Sequence, residues 1–444
     1  MADAVHPEPA AQQRPHADMA ETTPRGHPPG PFRPQFWKSP LRGPWLTSFL
    51  GTLLGVLVLV VAVTGLISHS TYQPQLDHNS PFGSSGVIGS LLALPTSSPS
   101  WLYALTQGLH ITVGLVAMPA LLAKLWSVFP RLFAWPPARS PAAVIERASL
   151  LLLVGGSLFE FATGVLNIQV FYPWHFNFVR AHYYGAWVFI AAFAAHVVVK
   201  MPVVARAYRE RGFLRPLRDD LSRTRSEPHD PDGLVAISPA RPTLSRRGLL
   251  ALVGGASLTL VAVNIGESIG GPFRRLALLA PRGRVFGTGP NDFQVNRTAA
   301  AVGVTGAASD PAWTLTVHGA RTVALSREAL MTSLPQRSYM LTIGCVEGWS
   351  TTQRWTGVRL GDLAALVDAP ASAGVFVESL QSGGSYGHVT LTSAQVSDPR
   401  ALLALCVNGV DLSLDHGYPA RIIAPDIPGV HCLKWAKSLT FKKV

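Results

Sequence analysis

Residues 180–204 read RAHYYGAWVFIAAFAAHVVVKMPVV, an almost unbroken apolar run whose basic side chains are Arg180, His182, His196 and Lys200. A helix of about 20 apolar residues crosses the hydrocarbon of a bilayer, and lipid offers unpaired backbone groups no partner, so this run is read as a spanning helix. His182 and His196 are 14 positions apart. At about 100° and 1.5 Å per residue they lie within about 40° of one another and about 21 Å apart along the axis. One helix face therefore offers two imidazoles at two depths.

Three further runs of this kind precede it, Trp45 to Ser68, Trp101 to Trp126 and Ala148 to Ile168, and a shorter fifth runs from Gly248 to Ile265. Of the 444 residues 48% are hydrophobic and only 14% charged, against about 25% charged in soluble domains, and the mean hydropathy is +0.25. The expected fold is multi-domain: an all-α transmembrane bundle of four helices (45–205), a basic loop (206–247), a fifth, tethering helix (248–265), a linker (266–285) and an α+β domain (286–444). Residues 1–44 are rich in proline and lack an apolar stretch, so they read as a disordered tail. Arg14, Arg25, Arg33, Lys38 and Arg42 lie in that tail, whereas Ser70 to Ser100 hold no Lys or Arg. Basic loops stay on the cytoplasmic side, which puts the N-terminus inside and everything after about 266 outside. The excess of 37 Lys+Arg over 25 Asp+Glu then belongs to membrane topology, and no nucleic-acid partner is expected.

Ionisable side chains inside spanning helices are costly and mark functional sites. His69 ends the first helix, His110 lies in the second, and His182 and His196 share the fourth. Neutral imidazoles from two helices suit both axial positions of a b-type haem in a bundle. Counting depth from the outer surface pairs His69 with His182 and His110 with His196, for two haems; His110 with His182 is the alternative, for one. Residues 45–205 resemble the four-helix dihaem cytochrome b subunits of formate dehydrogenases and hydrogenases, which also carry two haem histidines 14 apart on helix 4. That resemblance implies a quinone or quinol partner in the lipid bilayer.

Beyond residue 285 the pattern changes. Strand-like runs at Trp313 to Val317, Val375 to Glu378 and Arg421 to Ala424 alternate with turns, and helical patterns are read at Leu360 to Val367 and Pro399 to Leu405. Within this part stands Thr342-Ile343-Gly344-Cys345-Val346-Glu347-Gly348-Trp349-Ser350, then Trp355-Thr356-Gly357. The segment resembles the sulfite oxidase family of molybdopterin proteins, and more closely the molybdenum subunit of periplasmic methionine sulfoxide reductase, with its Cys-Val-Glu-x-Trp-Ser run. The resemblance implies molybdopterin with molybdenum as cofactor, Cys345 as metal ligand and Glu347 as a proton donor facing the metal. It further implies pterin and phosphate contacts at Asn291, Phe293, Asn296, Arg297, His416, Arg421 and Lys434. The arginines that flank the cysteine in true sulfite oxidases are missing, which argues against sulfite as substrate. Cys406 and Cys432 carry no family role and are read as buried thiols or a disulfide.

Leu244-Ser245-Arg246-Arg247-Gly248 before the fifth helix resembles a twin-arginine export signal, which implies a translocase that passes folded proteins. A cofactor inserted before export would require that route. Together with an Arg-rich composition this places the protein in a bacterial plasma membrane as a multi-pass oxidoreductase. Electrons would run between quinol, haem and molybdenum, with a small external molecule, an S-oxide or N-oxide, as substrate. The same parts serve the opposite direction, oxidation of an external reductant, and a metal-free outer binding domain is the remaining alternative.

Overall fold

The computed structural model describes residues 28–72, 99–136, 141–230, 233–382 and 386–443. Five helices in it are long and apolar enough to cross a membrane: α1 (Pro44–Tyr72), α2 (Leu102–Leu132), α3 (Pro141–Ile168), α4 (Phe178–Arg211) and α5 (Arg246–Ala262). Helix α1 packs on α2 and α4, α3 on α4, and α5 on α2. Leu59, Leu151, Val198 and Leu258 stand exposed on the outside, where a bilayer would cover them. Two glycines make room for polar side chains between helices: a Cβ at Gly65 would meet the His110 ring at 2.8 Å, and one at Gly185 would lie within bonding distance of Glu160.

The basic ends of the helices are knitted together rather than simply solvated. The Glu227 carboxylate accepts from the Trp45 amide at 3.0 Å and lies 3.8 and 3.9 Å from Arg211 and Arg246. Arg246 is only 1% exposed and donates to the carbonyls of Arg225 and Pro40, while the Ser245 hydroxyl caps α5 by accepting from Gly248 N. The expectation of a disordered tail to residue 44 is corrected for its last part. Residues 30–36 form two short 3-10 turns, and Leu41 and Arg42 are buried, with the Arg42 guanidinium lying between the Trp37 and Trp126 rings. Residues 1–27 and the 73–98 part of the loop without Lys or Arg lie outside the described residues.

After α5 a short helix, α6 (Gly266–Ile269), leads into the α+β domain. Its strands are β1 (Thr314–His318), β2 (Thr322–Ser326), β3 (Gln336–Gly344), β4 (Ser350–Arg359), β5 (Ala373–Ser379), β6 (His388–Leu391), β7 (Leu402–Val407), β8 (Val410–Asp411), β9 (Arg421–Ile423) and β10 (Ala436–Lys443). One sheet runs β2-β1-β10-β5-β6; the other runs β3-β4-β7-β8, with β9 on β7. Leu315, Val377, Leu403, Ile422, Leu439 and Trp355 form part of one continuous core. The helix expected at Pro399 to Leu405 is instead the start of β7, a strand paired on both sides by β4 and β9. A short, continuous apolar run has the same periodicity in a buried strand as in a buried helix, and pairing decided it.

The two parts of the chain are in direct contact. The turn between β3 and β4 rests on α2, where a Cβ at Gly344 would lie 3.1 Å from Ala104 Cα and one at Gly348 only 2.6 Å from Ile111 Cδ1. Asp426 caps the start of α2 from the other domain, its Oδ1 accepting from Tyr103 N at 2.6 Å. The Ser268 hydroxyl of α6 donates to Gly348 O, and the Ser350 hydroxyl donates to Ser268 O. Replacing a capping Asp by Ala costs about 1 kcal/mol. Asp426→Ala is therefore expected to lower the thermal midpoint of the detergent-solubilised protein, and Asp426→Asn, which keeps an acceptor oxygen, to lower it less.

Candidate active site

Between β3 and β4 the chain reverses in four residues, Cys345 to Gly348. Cys345 N donates to Trp349 O at 2.9 Å and Gly348 N to Cys345 O at 3.0 Å. Gly348 has φ of +99°, a conformation that costs a side-chain-bearing residue energy. Cys345 is free and 2% exposed, and burial pushes its thiol well up, with the Glu347 charge adding to the shift. Among the described residues no group of three or more His, Cys, Asp or Glu could hold a metal ion. A metal at Cys345 would therefore take its other ligands from a cofactor, and thiolate binding would release the proton that burial retains.

Glu347 does not stand free as a proton donor. Arg282 donates to both its oxygens, at 2.9 and 2.7 Å, and the Trp349 indole adds a bond of 3.0 Å to Oε2. In return, the bonds to Glu347 hold the Arg282 guanidinium above its ordinary range. Arg282 belongs to the stretch expected to be a plain linker, so a cation missing from the cysteine motif itself arrives from elsewhere in the chain.

The residues expected to meet the pterin and its phosphate come together beside this turn. Gly429 N donates to Gly344 O at 2.7 Å, tying the loop that leads to Lys434 to the residue before Cys345. His416 stacks on Phe293 with ring centroids 3.7 Å apart and shares a 2.9 Å bond between Nε2 and Asn291 O. Asn291 itself is occupied by Ser413 N and Asp411 O, and the Asn296 side chain accepts from Arg297 N. Arg421 donates to the carbonyls of His416 and Cys432, and Lys434 to those of Arg297 and Asp415. Burial lowers Arg421 to about 10 and Lys434 well below the usual lysine range. Arg421 Nε has no partner among the described residues. Arg421 also lies over the Trp355 ring and Lys434 over the Trp435 ring; buried cations whose hydrogen bonds go to carbonyls are costly unless an anion joins them, and the phosphate of a molybdopterin fits that need. Cys406 and Cys432 are free, Cys432 fully buried, so neither forms the disulfide that was one of the two expectations.

Within the helices lies a cavity of about 220 Å³ whose lining includes His69, His110, Glu160, His182, Tyr183 and Val346. The rings of His110 and His182 face one another at 6.0 Å, nearly perpendicular at 87°. His110 Nδ1 lies 2.9 Å from Val61 O. His182 Nδ1 lies 3.0 Å from Thr163 Oγ1 and 3.1 Å from Glu160 Oε2. With each Nδ1 engaged, each Nε2 is left for a ligand, the usual outer bonding of a metal-bound imidazole. The structure thus brings together the pair that depth counting held as the alternative. His69 instead stacks on Tyr183 at 3.6 Å, and half-buried His196 lies outside the cavity lining. Glu160 escaped the sequence reading although a lone carboxylate within an apolar run was visible there; Arg282 had no such signal.

Residues 302–444 match the family described as oxidoreductase molybdopterin binding domain. Human mitochondrial sulfite oxidase is 37% identical over 114 residues, 22% of this chain and 21% of that protein. The NADH nitrate reductase of Volvox carteri is 36% identical over 107 residues, 21% of this chain and 12% of that protein. The crystal structure of the sulfane dehydrogenase SoxCD from Paracoccus pantotrophus aligns over 30% of this chain and 39% of that one, at 21% identity and a TM-score of 0.28. The chain spans about a fifth, or less, of the length of these curated relatives. Its C-terminal part is a molybdopterin-binding oxidoreductase domain of the sulfite oxidase type.

Burial, with Arg421 nearby, lowers His416 to about 3 from its ordinary 6.5. Folding then favours the neutral ring, so its contribution is complete above pH 6.5 and is lost as the pH falls towards 3. His416→Gln, which cannot charge, is expected to flatten that part of the unfolding midpoint against pH for the full-length protein.

Proposed function

We propose that this protein is a membrane-bound, molybdopterin-dependent oxidoreductase that takes electrons from quinol, passes them through a haem b held by His110 and His182, and reduces a neutral S-oxide or N-oxide outside the membrane. One observation carries the reading. The cavity in which His110 faces His182 is lined also by Val346, the residue that follows Cys345, so the two candidate centres adjoin. When bound, the molybdenum cofactor supplies two-electron oxygen-atom exchange, as cofactors of this kind carry the chemistry while the protein orients and tunes. Cys345 would bind the metal. Arg421 and Lys434 would hold the pterin phosphate, and His416, stacked on Phe293, would border the pterin.

The Arg282–Glu347 pair supports a neutral substrate. Two of the matched relatives are, by name, a sulfite oxidase and a nitrate reductase, proteins named for anions, whereas here Arg282, the cation that among the described residues is bonded to the Cys345 turn, is matched by a carboxylate. With its net charge cancelled, the pair holds no excess positive charge for an oxyanion, and Arg282 serves to orient the polar oxygen of an uncharged oxide. Membrane position follows the same reading: the N-terminus in the cytoplasm, the C-terminal domain outside a bacterial plasma membrane, and Arg246-Arg247 as the export signal.

Metal analysis with a reduced-minus-oxidised spectrum on purified membranes tests the proposal. About one molybdenum and one b-type haem per chain are expected, with the quinol-reduced haem reoxidised on adding methionine sulfoxide; absence of haem or of molybdenum overturns it. Cys345→Ser is expected to abolish molybdenum-dependent turnover and leave the haem spectrum intact. Glu347→Gln uncovers the Arg282 charge, and sulfate should then inhibit about tenfold more strongly, the scale of one charge-assisted contact.

A further inference from the structure

The two parts of the chain meet through several hydrogen bonds, and in one of them both partners line the histidine cavity: Gln107 Nε2 donates to Val346 O at 2.8 Å. Gln107 lies three positions before His110 on α2, hence next to it on the same helix face, and Val346 is peptide-bonded to Cys345. We infer that Gln107 is the positioning residue of the electron route between the membrane and the outer site. It clamps the Cys345 turn to the helix that carries His110, along the line His110, Gln107, Val346, Cys345. This rests on the function proposed above and names the part of the chain that serves it.

The seat is built for short range. Gly344 and Gly348 bring the turn's backbone against Ala104 and Ile111, while the Asp426–Tyr103 and Ser268–Gly348 bonds hold the domain on either side. Those outer bonds keep the domain docked; the Gln107 bond sets the position of Val346. The outer domain therefore receives quinol's electrons through its contact with this chain's own α2, and the bundle does the work of a separate carrier protein. The balance is complete with the two substrates named. Quinol loses two electrons and two protons to become quinone, and the electrons cross the Gln107–Val346 contact one at a time. At the outer site two electrons and two protons break the sulfur–oxygen bond of the sulfoxide, giving one thioether and one water.

Gln107→Leu in the full-length, membrane-embedded protein removes the donor. Haem spectrum and molybdenum content should match the parent, and reoxidation of quinol-reduced haem by methionine sulfoxide, followed by rapid-scan absorbance, should slow about 10- to 100-fold, the penalty that small misplacements of reacting groups carry. The ratio of quinol-driven to viologen-driven turnover should fall with it. Independently of turnover, amide deuterium exchange across Val346 to Gly348 should quicken in the variant even without cofactors. An unchanged reoxidation rate with both centres filled overturns the inference. Should Gln107→Leu lose a centre, Gln107→Met, which keeps length and volume without the donor, carries the same expectations; loss of a centre in both makes Gln107 merely structural and also overturns it. Absence of haem or molybdenum from the parent protein counts against the proposed function instead.

Discussion

Two positions without side chains, Gly344 and Gly348, let the Cys345 turn lie directly against α2, and the rest of the molecule is organised around that approach. A Cβ at either would press into Ala104 or Ile111. Because the backbone comes so close, the carbonyls of Val346 and Gly348 can be met by Gln107 and Ser268 across the junction, so both acceptors keep a partner when the contact excludes water. The α+β domain is thereby held in one orientation on the helices, and the free thiol of Cys345 ends up beside a cavity within them.

Charge is handled differently on the two sides of that junction. At the turn the cation and carboxylate cancel, with Arg282 and Glu347 in a two-bond pair. In the neighbouring loops Arg421 and Lys434 are buried with carbonyls as their hydrogen-bond partners, which leaves an excess of positive charge. One end of the site is thus self-neutralised, while at the other the basic side chains are hydrogen-bonded to uncharged carbonyls. Inside the helices the polar groups follow a third rule, with His110 and His182 each taking a neighbouring carbonyl, hydroxyl or carboxylate so that the other nitrogen is kept in reserve.

Much of the architecture was legible in the sequence because hydrophobic period and length are local properties. The spanning runs, the strands around Trp313 to Val317 and Val375 to Glu378, and the helix at Leu360 could be read without knowing what they touch. Pro399 to Leu405 could not, since an apolar run looks alike in a buried strand and a buried helix, and only β4 and β9 on either side distinguish them. Which histidines lie close together was hard to read for a related reason. Counting residues from helix ends assumes equal starts and no tilt, whereas in the fold the His110 and His182 rings lie 6.0 Å apart. Arg282 was invisible because nothing in its own neighbourhood refers to Glu347, 65 positions later.

The burial of Arg246 bears on what holds the basic loops closed. Its guanidinium is enclosed by the Arg225 and Pro40 carbonyls with Glu227 close by, contacts that exist only once residues 38–45 and 211–246 have closed on one another. Of the two adjacent arginines only Arg246 is enclosed by this closure; Arg247 stays exposed. Arg246 therefore acts as a latch on the closed loops, because opening them would strip its charge of the carbonyls that enclose it.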